Sequence, residues 1–199
     1  MEGIYFYWIS WLFWTYCTFL MPKSSKRTKA AMFILILLLC SNTFIQYGRY
    51  VLNLSFIILA AMCFFAFTRY PFRNMIYFVF ASFIIMFSYV CLLLFSMYDP
   101  VWFYIDVKWV LSTFILLLSI IIVQTKKARL HVLLTGCCQG ECLYRFLIQK
   151  LTKTTIFGSS AFFDTVSICC FLYGLVSLVY YFSQLFKEGI QLTWLHRKL

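Results

Sequence analysis

Six stretches of this chain run apolar for about the 20 residues that a bilayer requires of a helix, and short loops rich in Lys and Arg separate them. In FILILLL at 33–39 and FVFASFIIMF at 78–87 the apolar residues are continuous. A membrane β-strand would instead alternate polar and apolar residues with period two. Composition closes off a soluble fold: 64% of the residues are hydrophobic and 12% charged, against about 45–50% and about 25% in soluble domains. The fold class is therefore all-α, a polytopic transmembrane helix bundle, with residues 1–199 as one integral membrane domain.

The spans read as about 3–21, 30–47, 50–68, 75–98, 103–124 and 161–186. The first is not a cleavable signal, because no basic region precedes it and no small-residue cleavage site follows it. Lys23, Lys26, Arg27 and Lys29 come after it, so the positive-inside rule puts the N-terminus outside. A turn at Tyr47-Gly48-Arg49 is then outside, RYPFR (69–73) inside, and Asp99-Pro100 outside, where the proline stops the fourth span. With six spans, twelve of the seventeen Lys and Arg residues fall inside, and Trp8, Trp11, Trp102, Trp109 and Trp194 fall toward the outer interface. The net charge of +11 thus reads as cytoplasmic loops facing anionic lipid, with no nucleic-acid partner.

Residues 125–164 are the exception to the pattern. Leu143, Phe146, Leu147 and Leu151 recur at helical spacing, with Arg145, Gln149, Lys150 and Lys153 largely opposite. That pattern describes an amphipathic helix lying in the inner interface before the last span, with Arg145, Lys150 and Lys153 as contacts for lipid or a partner. The alternative is a seventh span over 130–148, which suits the basic C-terminal HRKL. Gln139, Glu141 and Arg145 oppose it, since an isolated charge at mid-membrane costs about 2.5–3.5 kcal/mol on the insertion scale.

The polar residues within or at the ends of spans are the remaining candidates. Asn42 and Asn53 lie equally far from the turn and could bond to each other, or each could cap its own backbone or meet another helix. Asp164, after Gly158-Ser159-Ser160, suits the dipole of the last helix, with Ser159 or Ser160 as its cap; the other reading is a proton- or cation-handling acid. Asp106, Lys108 and Arg49 suggest an outer ion cluster. Cys137, Cys138 and Cys142, near Glu141 and His131, come closest to a metal-ligand set, yet the second pair that structural zinc needs is missing. Palmitoylation or interfacial packing suits these thiols better. No hydrolase, metalloprotease or nucleotide-binding motif is present, so no catalytic, cofactor-binding or metal-binding residue is assigned.

The opening MEGIYFYWISWLFWTYCTFLMPKSSKRTK, the cysteine-bearing segment and SSAFFDT together resemble the YphA family, small multi-pass membrane proteins of spore-forming Bacillus-type bacteria. The resemblance runs over the full length and implies a bacterial plasma membrane and a sporulation context. It carries over no functional residues. The expected function is a non-enzymatic membrane component acting through lipids, membrane-protein partners or a second copy of itself on the cytoplasmic face. The alternative is a small-molecule transporter or permease using Asn42, Asn53 and Asp164.

Overall fold

The computed structural model describes residues 3–99, 101, 103–150 and 155–196, without the side chains of Lys127 and of 185–196. The chain is mostly helical. Helix α1 (Ile4–Thr15) continues into a wider π turn (Tyr16–Leu20), and α2 spans Ser25–Cys40. Strands β1 (Phe44–Tyr47) and β2 (Tyr50–Asn53) follow, then α3 (Leu54–Phe67), α4 (Phe72–Tyr98), α5 (Val107–Ile122), α6 (Lys126–Ile148), β3 (Thr155–Phe157) and α7 (Ser160–His196).

Local chemistry sets the helix starts. Ser24 Oγ accepts from Arg27 N at the head of α2, Asn53 Oδ1 from Ser55 N at α3, and Asp106 Oδ1 from Lys108 N at α5. Ser159 Oγ accepts from Phe162 N at α7. Each supplies an acceptor to an amide that the helix itself leaves open. Pro71 occupies the N-cap of α4, where its missing N–H does no harm.

The second and third spans were expected as helices up to the turn. Instead α2 stops at Cys40 and α3 begins at Leu54, with an antiparallel β-hairpin between them. The segment TFIQYGRYVLN is rich in β-branched and aromatic residues, which fit a pleated ribbon. Gly48 takes a φ of 61° in the two-residue loop, a conformation hairpin loops favour and glycine adopts freely. The turn is where the sequence puts it.

The larger correction concerns 125–164. Residues 126–148 form one helix through the bundle, and its middle is buried: Val132, Leu133, Thr135 and Cys137 are fully enclosed. Helix α6 runs parallel to α4. Tyr70, just before α4, bonds to His131, Gly136 meets Ser82 and Ile85, Gly140 meets Tyr89, and Tyr144 bonds to Met97. Then β3 pairs in parallel with β2, Tyr50 opposite Thr155. Residues 126 and 155 therefore lie at opposite ends of the bundle, and among the described residues 143–148 are the last turns of α6, not a separate helix in an interface. The stretch of α6 is 23 residues, about 34 Å at the helical rise, which exceeds the roughly 30 Å of a hydrocarbon core.

The core gathers Ile85, Leu111, Ile115, Leu133 and Ile168, all essentially without exposure. The outside of the bundle is apolar as well: Trp8, Phe19, Leu39, Phe65, Phe80 and Ile121 are largely exposed, and α2 buries no residue. Apolar surface on this scale is unusual in a soluble monomer. Two helical segments are long and apolar enough on their own to cross a bilayer, Phe72–Tyr98 and Ser160–Gln184, while α3 and α5 are shorter apolar helices.

Candidate functional site

The charged groups meet at the end of the bundle that carries the sheet. Asp164 has no exposed surface, and its carboxylate serves a helix other than its own. Oδ2 accepts from Gly3 N at 2.8 Å and Oδ1 from Phe6 N at 2.9 Å, both at the head of α1. Lys108 Nζ completes the set at 2.7 Å from Oδ2. The carboxylate thus meets the positive end of the α1 dipole, while Ser159 caps α7. The expectation that Asp164 serves its own helix is corrected in this respect.

A second pair lies beside it. Arg145 Nε donates to Glu141 Oε1 at 2.8 Å, one turn apart on α6. Tyr89 OH donates to Glu141 Oε2 at 3.0 Å, and Arg145 Nη2 donates to Ser159 Oγ at 2.7 Å. Glu141 is therefore neutralised and hydrogen-bonded within the bundle. The insertion penalty weighed against a crossing at 130–148 applies to an isolated charge, and this one accepts two hydrogen bonds, one of them from a guanidinium.

Between the pairs is a cavity of about 260 Å³, lined among others by Ser96, Asp106, Lys108, Glu141, Tyr144 and Arg145. In each pair the acid is buried and the cation partly open: Lys108 keeps 17% of its side chain exposed and Arg145 21%. Asp106 is exposed at the rim. Of the expected cluster of Asp106, Lys108 and Arg49, the first two line this cavity, but the ammonium goes to Asp164.

The other candidates separate. Asn53 caps α3 and donates to Ser41 O at 2.7 Å, and Asn42 Oδ1 accepts from Tyr7 OH at 3.3 Å. They do not bond to each other. Arg145 is inside the bundle, Lys150 is exposed at the sheet end, and Lys153 lies outside the described residues. Of these three, Arg145 faces the sheet-end cavity and not a lipid or partner surface. Cys137 packs beside Cys169, Cys138 beside Cys63, and Cys142 is exposed on a groove between α3, α4 and α6. Among the described residues no group of three His, Cys, Asp or Glu is placed to hold a metal ion.

At the opposite end, a cavity of about 450 Å³ is lined by Arg69, Tyr70, Lys126, His131 and Tyr173, among others. Tyr70 OH lies 2.9 Å from His131 Nδ1. Burial pushes the Tyr70 phenol above its usual pKa, against a smaller opposite pull from Arg69.

Sequence reasoning missed Tyr89, the partnership of Lys108 with Asp164, and the two glycines of α6. A Cβ at Gly136 would come within 2.5 Å of Ile85, and one at Gly140 within 2.6 Å of Tyr89. The spacing Gly136-x-x-x-Gly140 was the available signal, since small residues four apart let membrane helices approach closely.

A helix bundle with an apolar exterior and neutralised charges inside is an integral membrane protein. The chain belongs to the family described as YphA-like integral membrane protein, which it matches over residues 2–198. It is 30% identical over 170 residues to Uncharacterized protein YphA of Bacillus subtilis (strain 168), covering 84% of this chain and 83% of that protein. No solved structure matches it significantly.

Proposed function

We propose that this is a non-enzymatic, seven-span protein of the bacterial plasma membrane that captures a small zwitterionic solute at its sheet end, as a permease or solute receptor does. The observation that carries this reading is the presence of both charge signs in one small cavity: Lys108 and Arg145 on its walls and Asp106 at its rim. A ligand bearing an ammonium and a carboxylate can exchange with these groups without leaving a net charge behind, and unpaired buried charge is what costs most in such sites. The volume of about 260 Å³ is just under the roughly 300–1,000 Å³ of drug-sized pockets, which favours a solute as small as a free amino acid.

Seven crossings support the placement of the cavity outside. In that topology twelve of the seventeen Lys and Arg residues lie on the side opposite the sheet, and five of the six acids lie on the sheet side. The positive-inside rule then makes the sheet end extracellular. Resemblance alone supplies the sporulation context, which a deletion strain scored for spore yield tests directly.

Purified protein in neutral detergent, challenged with a panel of free amino acids, tests the binding reading. At least one should raise the unfolding midpoint, and Asp106→Asn combined with Arg145→Gln should abolish the rise. If no member of the panel stabilises the wild-type protein, the reading fails. Flux of the stabilising solute into proteoliposomes then separates a permease from a receptor.

A further inference from the structure

Every acid whose side chain is described sits at the sheet end: Asp99 just past α4, Asp106 at the head of α5, Glu141 in the last third of α6 and Asp164 early in α7. Both ion pairs of the described residues are there too. At the other end Arg69, Arg73 and Lys126 find no carboxylate among the described side chains. Two of these cations, Arg69 and Lys126, share the cavity of about 450 Å³.

Its polar groups are held in place. Tyr70 OH is bonded to His131 Nδ1, and Tyr173 OH donates to Lys126 O at 2.7 Å. The Lys126 ammonium stands 3.4 Å from the centre of the Tyr180 ring, a cation–π contact that fixes its position. The α6 N-terminus opens beside it with no side-chain cap from Thr125, so the first-turn amides and the helix dipole add positive potential. The remaining walls include Ala66 and Leu130. Phe65, next to Ala66, and Tyr180 belong to the exposed apolar surface of the bundle.

We infer that this cavity binds the phosphate group of an anionic phospholipid, with Arg69 and Lys126 as its counter-ions. A guanidinium fork and a fixed ammonium suit a phosphate. The apolar flank suits acyl chains, and basic pockets between membrane helices bind such headgroups. The site is separate from the sheet-end cavity and does not depend on it.

The test uses full-length protein in neutral detergent, titrated separately with short-chain phosphatidylglycerol, short-chain phosphatidylcholine and inorganic phosphate, with the unfolding midpoint as readout. Phosphatidylglycerol should raise the midpoint saturably, and the other two should not at the same concentration. Arg69→Gln and Lys126→Gln should each weaken the apparent affinity about fivefold. Lys23→Gln, a cation at the same end but outside the cavity, should leave it unchanged. Arg69 and Lys126 are exposed, so both variants should fold, which their lipid-free midpoints check. Equal stabilisation by phosphatidylcholine or by inorganic phosphate overturns the inference. So does an undiminished lipid response in the double variant, or an equal loss in Lys23→Gln.

Discussion

Asp164 accepts three hydrogen bonds, from two backbone amides of α1 and the ammonium of Lys108, and all are charge-assisted. Replacing it by Asn keeps the shape and removes the charge. We expect Asp164→Asn to destabilise the protein by about 3 kcal/mol, because breaking a buried pair from one side leaves the other charge uncompensated. Denaturant titration in detergent measures this, and Asp164→Asn with Lys108→Met should recover part of the loss. The residue was visible in the sequence as a polar group near a span end, and so was its neighbour Ser159 as the helix cap. Its partners were not. Gly3 is 161 positions away, and local spacing, the only information a single sequence offers here, does not encode which helix end arrives beside a carboxylate. Gly158 was likewise legible only as a loop residue. It has a φ of 73°, and a Cβ there would meet Phe56 at 2.5 Å.

Helix α6 is the element on which sequence and structure part. Its polar residues argued for an interfacial position, because an insertion scale prices each charge alone. Glu141 and Arg145 are one turn apart, the spacing at which opposite charges on a helix meet, so they enter the bundle as a neutral unit. The pairing predicts a coupled mutant cycle. Glu141→Gln and Arg145→Gln should each destabilise more than the double substitution does, and a strictly additive result would reject the pair as the reason the helix sits inside. Contact with α4 predicts a second asymmetry. Gly140→Ala places a methyl against the Tyr89 ring, whose hydroxyl is tied to Glu141, and overpacking of this kind costs about 1–3 kcal/mol. Gly174→Ala meets only Phe13 at 3.9 Å and should stay within about 0.5 kcal/mol of wild type. The hairpin was hidden for a different reason: the apolar pairs Phe44-Ile45 and Val51-Leu52 read as the ends of the flanking spans, and short apolar runs do not distinguish strand from helix.

At the scale of the whole molecule, the six-span and seven-span arrangements divide the basic residues identically, twelve against five. The charge rule that gave the orientation therefore had no power to choose between them. Reporter fusions do have that power. A fusion at residue 155 should report the outside and one at residue 199 the inside; six spans with an interfacial helix require the reverse at both positions. The cap on α1 has a consequence for how such a protein is made. The amides of Gly3 and Phe6 wait for a carboxylate that the ribosome adds 161 and 158 residues later. Until α7 is made, those two donors at the head of α1 lack their acceptor, and before residue 155 the sheet holds only the β1–β2 hairpin. The cap on α1 is therefore completed only after most of the chain has been made. A chain interrupted before residue 164 lacks the acceptor for both amides.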